Sequence, residues 1–280
     1  MAKLMLVDGS NLLFQMFYGM PSRITNKDGK AIQGTLGFIG ALLKTVRRIN
    51  PTHLAVFFDG ECHNPRRDMD ADYKANRPDY SQIPEEDTPF SQLPDIYRAL
   101  DHLNIRHSET TVCETDDWIA GYVSHYRCSD DIVIMSQDSD FFQLISDRVS
   151  VLRYRGDKSV LCTSEYIQQT LGIHPSQYAA YKSLTGDTSD NIRGVDKVGP
   201  KTAAALINQF ENLDTLIALA ETIQKPSVRN SVMEQKERIL KNFELICLRG
   251  CDDIPFSLDE LAFSDTGLST TQVLQNIGLR

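Results

Sequence analysis

Short apolar runs alternate along the chain with longer amphipathic stretches. Three of these runs are KLMLVD at 3–8, HLAVFFDG at 53–60 and DIVIMSQDSD at 131–140. Their apolar residues are consecutive, a pattern typical of strands that are buried on both faces. In each run the apolar residues are followed by aspartate. The pattern therefore predicts three buried strands, each with an acidic side chain at its carboxyl end.

Helical periodicity dominates the segments between and beside these strands. It is clearest in TLGFIGALLKTVRRI at 35–49 and in DDWIAGYVSHY at 116–126. Strands that alternate with helices predict an α/β fold, with a mostly parallel central sheet and helices on both faces. In such a fold the ligand crevice lies beyond the carboxyl ends of the strands, which is where the three aspartates fall.

Two regions depart from this alternation. Residues 60–94 are polar, interrupted by proline and rich in both charges, and long connections of this kind are often functional lids. From residue 163 onward the pattern is largely helical, including a run over 234–248. We therefore expect an α/β core over 1–162, with a lid at about 60–94, followed by a helical region over 163–280.

The composition changes this picture little. With 41% hydrophobic and 24% charged residues the chain matches ordinary globular proteins, and it contains no apolar stretch of the roughly 18 residues that a membrane helix needs. Its six cysteines lack the paired spacing of metal ligands. Cys247 and Cys251 could meet on a helix, although two thiols alone make a poor zinc site. We expect a cytoplasmic protein with reduced thiols.

Acidic residues recur where the predicted crevice should lie. A single aspartate at a strand end is commonly a helix cap or a turn residue, but repetition in distant segments favours a shared site. Converging carboxylates repel one another and need cations, and hard oxygen ligands select Mg²⁺ or Mn²⁺. Two such ions can support phosphodiester hydrolysis. The candidate ligands are Asp8, Asp59, Glu114, Asp116, Asp117, Asp138 and Asp140, with Asp187 and Asp190 as a further group.

These acidic motifs, in order along the chain, resemble those of the 5′-nuclease or flap endonuclease family. The resemblance is greatest to the 5′-3′ exonuclease domain of bacterial DNA polymerase I. It runs through LMLVDGSNLLF, VFFDG, DYKANRP, ETDDWIA, QDSDFFQL and LTGDTSDNIRGVDKVGPKTA. It covers nearly the whole chain and implies a PIN-like 5′-nuclease fold with a helical arch or clamp at about 60–94. The chain fits either a stand-alone relative or a domain excised from a polymerase.

The same matching assigns roles to particular residues. It implies that all nine acidic residues above bind two Mg²⁺ ions, for which Mn²⁺ can substitute, and that Lys74, Arg77 and Asp116 are catalytic. Lys74 matches the lysine that reaches the scissile phosphate, with Arg66 and Arg77 as phosphate contacts. The chain departs from many relatives at Gln15, which replaces an arginine; Arg23 is a candidate substitute. Pro65 replaces an aromatic residue.

A second motif, GVDKVGPKT at 194–202, resembles the helix-two-turn-helix hairpin of this family, placed at about 184–206. Glycines let a backbone approach phosphates closely because no Cβ intervenes. The resemblance also implies a K⁺ ion bound by backbone carbonyls. Taken alone, the segment could equally be an ordinary helical packing unit. The expected DNA-binding residues of the whole chain are Arg66, Lys74, Arg77, Gly194, Val195, Lys197, Val198, Gly199, Lys201 and Thr202.

The expected function is a structure-specific 5′ nuclease that removes primers and flaps from branched or 5′-tailed DNA, including RNA-primed ends. The net charge of −9 disfavours general phosphate affinity, but metal ions bound by the acidic site would offset part of it. We expect a monomer associated with the nucleoid. Two alternatives are a PIN-like ribonuclease, which lacks the arch and the glycine hairpin, and a catalytically silent binder of branched DNA, which would have lost the acidic residues.

Overall fold

A six-stranded sheet forms the centre of the computed structural model, which describes residues 2–60 and 64–280. The strand order is β3-β2-β1-β4-β5-β6, in which β1 to β5 pair in parallel and β6 is antiparallel to β5. The predicted mostly parallel sheet is confirmed. Its strands are β1 (Lys3–Asp8), β2 (His53–Phe58), β3 (Arg106–Glu109), β4 (Asp131–Met135), β5 (Val149–Arg153) and β6 (Val160–Cys162).

Helices connect and cover these strands. In the described residues they are α1 (Gly9–Gly19), α2 (Gln33–Ile49), α3 (Pro65–Met69), α4 (Leu93–His102), α5 (Thr115–Tyr126), α6 (Ser164–Leu171), α7 (Tyr178–Thr185), α8 (Pro200–Phe210), α9 (Leu213–Ala218), α10 (Pro226–Glu234), α11 (Lys236–Ile246) and α12 (Thr270–Asn276). None of them is both long enough and apolar enough to cross a membrane.

The two faces of the sheet pack against different helices. Alternate residues of a strand point to opposite faces, and Met5 and Val7 belong to the apolar cluster that includes α1, α2 and α4. Leu4 and Leu6 belong to the cluster that includes α5 and the helical region after residue 163. Phe57 stacks on Tyr122 of α5 with ring centroids 5.3 Å apart. Helices therefore cover both faces, as predicted.

Strand register brings the carboxyl ends of β1, β2 and β4 to one edge. Asp8 lies opposite Phe57, and Val7 lies opposite Met135. Asp59 therefore follows β2 directly beside Asp8, and Asp138 lies three residues beyond the end of β4. This alignment collects acidic side chains from distant segments at one place.

The described part of the predicted arch, residues 64–92, has little helix. It contains α3, a series of turns and three short 3₁₀ turns within 80–92. Its turn at 70–77 docks on a small antiparallel hairpin, β7 (Gly186–Asp187) and β8 (Ile192–Arg193). Asn191 donates a side-chain hydrogen bond to the carbonyl of Asp72, at 2.8 Å. This contact fixes the base of the arch on the helical region.

The predicted helix over 234–248 is interrupted and shorter than expected. Gln235 lies between α10 and α11, and α11 ends at Ile246. Cys247 and Cys251 therefore lie in the irregular segment that follows, so the suggestion that they meet on a helix is wrong. The segment then returns to the sheet, where Ala262 forms an isolated β-bridge with His53.

Candidate active site

An acidic cleft of about 530 Å³ lies at the carboxyl edge of the sheet, between the strand ends and the arch. One wall is made of carboxylates and the other of basic and aromatic side chains of the arch. Its lining residues are Asp8, Ser10, Asn11, Phe14, Asp59, Arg67, Lys74, Arg77, Pro78, Tyr80, Phe90, Glu114, Asp116 and Asp138. Five of the nine predicted acidic residues thus line a single cleft.

Asp8 is the buried centre of this group. Its Oδ1 accepts the backbone N–H of Asn11 at 3.0 Å and thereby caps α1, and its Oδ2 accepts the Ser136 hydroxyl at 2.8 Å. Burial, followed by the charge of Asp59, raises the pKa of Asp8 to about 7. Without a cation, burial and the charge of Asp59 therefore favour the protonated form of Asp8 over much of the range in which an ordinary aspartate is ionised.

Asp59, the residue after β2, and Asp116, in the first turn of α5, both lie close to Asp8. The backbone N–H of Thr115 donates to Oδ1 of Asp59 at 3.0 Å, which joins the end of β2 to the first turn of α5. Burial and the nearby charge of Asp138 raise the pKa of Asp116 well above its ordinary value. No ion pair to any of these carboxylates occurs in the described part of the chain.

The donor chemistry of the cleft residues suits a divalent cation, but among the described residues their oxygens are not drawn together within 4.8 Å of one another, as those of the second acidic group are. Desolvation and mutual repulsion are the causes of the raised pKa values of Asp8 and Asp116, and a hard cation would relieve both effects. The donor set, formed by Asp8, Asp59, Asp116 and Asp138, offers carboxylate oxygens without thiol or imidazole. Such a set favours Mg²⁺ or Mn²⁺ over softer metals.

A second acidic group adjoins the first. One carboxylate oxygen each of Asp140, Asp187 and Asp190 lie within 4.8 Å of one another. Asp138 links the two groups, because its Oδ1 accepts the backbone N–H of Asp140 at 2.8 Å. Burial, partly offset by Lys182, raises the pKa of Asp140 to about 7. The structure thus divides the predicted site into two neighbouring carboxylate groups.

Glu114 lies between the carboxylates and the arch. Its Oε1 is 2.5 Å from the Nζ of Lys74, and its Oε2 is 2.6 Å from an Nη of Arg66. Burial opposes the ionisation of Glu114, but the charges of Lys74 and Arg66 outweigh it and hold the pKa of Glu114 below its ordinary value. Lys74, only 8% exposed, therefore contacts one of the predicted metal ligands; its contact with the scissile phosphate stays a prediction.

Arg66 and Asp117 are placed differently from the other predicted residues. The Arg66 guanidinium donates to both carboxylate oxygens of Asp117 at 2.8 Å, and its Nε donates to the carbonyl of Leu245 at the end of α11. Arg66 is buried and does not line the cleft. Its donors bind Glu114, Asp117 and the carbonyl of Leu245, and Asp117 faces Arg66 rather than the acidic cluster; the phosphate contact expected of Arg66 stays a prediction.

Arg77 connects the arch to the second acidic group. Its Nη2 lies 3.0 Å from Oδ1 of Asp190, and about half of its side chain is exposed to the cleft. The backbone N–H of Lys74 also donates to the carbonyl of Asp190 at 3.0 Å. The basic residues of the arch are consequently positioned by the same hairpin that carries the second acidic group.

The predicted helix-two-turn-helix residues lie in the turn that joins β8 to α8 and in the first turn of α8. Val195 and Val198 have buried side chains, so only their backbone can contact a ligand. Gly194 lies against the chain, since a Cβ there would be 2.3 Å from the carbonyl oxygen of Thr185. Gly199 is different, because a Cβ built on it meets nothing within 4 Å. Its backbone is open to solvent at the start of α8.

Lys197, Lys201 and Thr202 lie on the outer side of this turn. Both lysines are exposed and Thr202 is partly exposed. Lys197 has a left-handed backbone, with φ of 65°, a conformation that is uncommon for residues other than glycine. The turn therefore presents two positive charges beside an accessible backbone, an arrangement that suits phosphate.

Several site residues were missed by reasoning from the sequence. Arg67, next to Arg66, is exposed and lines the cleft, whereas the motif pointed to its neighbour. Phe14, Tyr80 and Phe90 pack edge to face with centroids 5.4 to 5.8 Å apart and form an aromatic wall of the cleft. Lys182 was also missed, because nothing in its local sequence distinguishes it from an ordinary helical lysine.

The structure shows the surroundings of Gln15 and Pro65, the two residues at which the chain departs from many relatives. Gln15 points away from solvent and donates to the carbonyl of Tyr154 at 2.7 Å. Arg23, the candidate substitute, pairs with Asp87 at 3.0 Å. Pro65 occupies the first turn of α3, after the N-cap Asn64. In this structure neither Gln15 nor Arg23 is among the residues that line the acidic cleft.

Comparison with known protein families identifies two matching family models. Residues 3–172 match the 5′-3′ exonuclease N-terminal resolvase-like domain, and residues 173–267 match the 5′-3′ exonuclease C-terminal SAM fold. DNA polymerase I of Rhizobium leguminosarum is 34% identical over 265 residues, which cover 91% of this chain and 25% of that protein. The thermostable enzyme of Thermus aquaticus is 30% identical over 258 residues, covering 92% of this chain and 29% of that protein.

Solved structures share the fold at lower identity. The T5 D15 protein co-crystallised with metal ions is similar with a TM-score of 0.70 at 22% identity, covering 88% of this chain and 89% of that one. The catalytic core of Rad2 in complex with DNA substrate has a TM-score of 0.60 at 17% identity, covering 99% of this chain and 93% of that one. These likenesses concern the fold.

The acidic cleft, the arch residues docked beside it and the two family models agree with one another. The chain spans between a quarter and a third of the length of the DNA polymerase I relatives described above, and the match extends over nearly all of its own length. On this evidence, the chain belongs to the 5′-3′ exonuclease family.

Proposed function

We propose that this protein is a structure-specific 5′ nuclease, which hydrolyses DNA near the junction between a duplex and a 5′ single strand. The observation that carries the proposal is the cleft in which Asp8, Asp59, Asp116 and Asp138 face Lys74 and Arg77, with the second carboxylate group beside it. Family membership supports the same chemistry. The substrates would be 5′ flaps and RNA-primed 5′ ends formed in replication and repair.

Two Mg²⁺ ions, with Mn²⁺ as a substitute, would supply the activation of water and the neutralisation of charge during hydrolysis. Asp8, Asp59, Asp116 and Asp138 would hold one ion, and Asp140, Asp187 and Asp190 the other. Glu114 would contribute to the site of the first ion and would also position Lys74. We assign Asp117 a supporting role, because it anchors Arg66 at the base of the arch.

The arch residues would bind and orient the phosphate. Lys74 lies at the floor of the cleft, and Arg67 and Arg77 are exposed at its wall. Positive side chains at these positions can stabilise the charge that develops on a phosphate in the transition state. Lys74 and Arg77 are accordingly the proposed catalytic side chains, together with Asp116 as a metal ligand.

The turn at 194–202 would hold the duplex. Its accessible Gly199 backbone and the exposed Lys197 and Lys201 suit contacts with one phosphate strand, which position DNA without reading its sequence. We extend this role to the helical region over 163–280, and assign catalysis to 1–162. A K⁺ ion bound by backbone carbonyls of this turn is part of the proposal, as is a monomeric, nucleoid-associated protein.

The direct test is incubation of a labelled 5′-flap duplex with Mg²⁺. We expect cleavage within a few nucleotides of the junction by the wild-type protein, and none by Asp116→Asn. Asp253→Asn, which alters an exposed aspartate outside the cleft, is the matched control and should cut at the wild-type rate. An RNA flap is tested in parallel: cleavage of the DNA flap supports this function, whereas a ribonuclease would cut the RNA flap and leave the DNA flap intact. Equal cutting by the wild type and Asp116→Asn would refute the proposal.

A further inference from the structure

Lys182 is a buried lysine inside the second acidic group. It lies on α7, and its side chain is 8% exposed. Its Nζ is 2.5 Å from Oδ2 of Asp187 and also forms an ion pair with Oδ1 of Asp140. The ammonium group therefore contacts oxygens from two of the three carboxylates whose ligand atoms lie within 4.8 Å of one another.

The two carboxylate groups consequently differ in their counter-charges. In the second group, each carboxylate has a basic partner, because Arg77 pairs with Asp190 and Lys182 pairs with the other two. In the first group, Asp8, Asp59, Asp116 and Asp138 have no basic ion-pair partner among the residues that the structure describes. The chain itself thus supplies ion-pair partners to the second group, whereas Lys74, whose charge reaches Asp116 in the first group, forms its ion pair with Glu114.

We propose that Lys182 is a built-in competitor for the second divalent ion: its ammonium group occupies the position of that ion and must leave before the ion can bind. This inference rests on the two-ion site of the proposed function. The inference gives Lys182 a role and the two ions an order of binding. The first ion binds at the site of Asp8 and Asp116, and the second ion then binds at the site of Asp187.

Simple geometry and charge underlie the competition. Mg²⁺ binds oxygens at about 2.0–2.1 Å and demands near-octahedral coordination, whereas Nζ already occupies the space between Asp140 and Asp187. An ammonium group and a divalent ion a few ångströms apart also repel each other strongly in a buried site. The flexible four-carbon stem of lysine allows the group to move without a change in the helix.

An aromatic ring on the same helix already adjoins the ammonium group. The Tyr178 ring centroid, one helical turn away, lies 5.9 Å from the Nζ of Lys182 while both ion pairs are formed, so a shift toward this ring would keep the cation beside it. A cation over an aromatic face retains part of its electrostatic stabilisation. Displacement therefore need not leave the ammonium group without a partner.

The test is a calorimetric titration of Mn²⁺ into metal-free wild-type protein, Lys182→Met and Lys182→Arg. The wild type should bind one ion tightly and a second weakly. Lys182→Met removes the charge at similar volume, so the second ion should bind at least tenfold more tightly while the first changes less than twofold. Lys182→Arg keeps a cation and is the matched control, in which the second ion should remain weak. Unchanged or weaker second-ion affinity in Lys182→Met overturns the inference.

A measurement on the wild-type chain covers the case in which Lys182→Met does not fold. Acylation of lysines, followed by peptide mass spectrometry, should modify Lys182 faster at saturating Mg²⁺ than without metal. An unchanged or slower rate contradicts displacement. The proposed function and the Lys182 inference can fail separately. If the wild-type protein binds no Mn²⁺ and leaves flaps intact, both are refuted. If it binds two ions and Lys182→Met has no effect on their affinity, only the Lys182 inference is refuted.

Discussion

Lys74 and Glu114 form an ion pair at the floor of the acidic cleft, with Nζ 2.5 Å from Oε1. Burial opposes the charge of Lys74, but the combined attraction of Glu114, Asp116 and Asp190 exceeds this effect and raises the pKa of Lys74. The lysine is thus held charged and within reach of the carboxylates. A phosphate that enters the cleft would meet a positive group that is already oriented.

Replacement of Lys74 should therefore impair the chemical step. We expect Lys74→Ala to lower the single-turnover rate of flap cleavage by about 10²–10³-fold, the usual effect of removing one oriented group that stabilises the transition state. Lys158→Ala is the control, because Lys158 is exposed and lies outside the cleft. A loss smaller than about threefold in Lys74→Ala would exclude the assigned role.

Two adjacent arginines should separate stability from DNA binding. Arg66 is buried against Glu114 and Asp117, so Arg66→Ala leaves buried carboxylates without their partner and should lower the free energy of unfolding by roughly 3–5 kcal/mol. Arg67 is exposed, so Arg67→Ala should change stability by less than about 0.5 kcal/mol yet weaken flap binding. Urea unfolding and DNA titration of both variants check this. Equal destabilisation by the two substitutions would contradict the structure.

These two arginines also show what the sequence can and cannot predict. Strand ends and the acidic motifs follow from local patterns, and β1 has the predicted bounds. The direction of each arginine does not follow, because Arg66 is fixed by the carbonyl of Leu245, 179 positions away. Lys182 posed the same difficulty, since its partner Asp140 lies 42 positions away. Long-range packing decides such contacts.

Raised pKa values predict that metal binding weakens in acid. Asp8 and Asp140 have pKa values of about 7 in the folded protein, against 3.8 ordinarily. The metal-free folded state therefore holds protons that the unfolded chain has lost. The stability contributed by these groups is present at low pH and is lost as the pH rises toward 7.

Because the ions require the deprotonated carboxylates, Mn²⁺ should restore this stability above neutral pH. Each such proton should weaken Mn²⁺ binding roughly tenfold between pH 7 and pH 6. The measurement is the increase in Tm caused by Mn²⁺, which should be larger at about pH 7.5 than at about pH 5.5. Glu114 and Asp187 have lowered pKa values, so the comparison with and without metal is more informative than stability alone. An equal increase at both pH values would contradict these assignments.

Two glycines of the turn between α7 and α8 should respond differently to alanine. A Cβ at position 194 would lie 2.3 Å from the carbonyl oxygen of Thr185, so Gly194→Ala should destabilise the protein by about 1–3 kcal/mol. Gly199→Ala meets no protein atom within 4 Å. It should leave stability nearly unchanged and weaken duplex binding several-fold, because a methyl group would separate the backbone from phosphate. Wild-type binding by Gly199→Ala would remove this turn from the DNA interface.

The proposed nuclease requires two divalent ions bound at the strand ends. Crystals soaked in Mn²⁺ and measured near the manganese absorption edge test this directly through anomalous scattering. We predict one peak among Asp8, Asp59, Asp116 and Asp138, and a second among Asp140, Asp187 and Asp190, with Lys182 withdrawn from the second. The absence of anomalous density in this cleft, or peaks confined to other parts of the surface, would contradict the central claim.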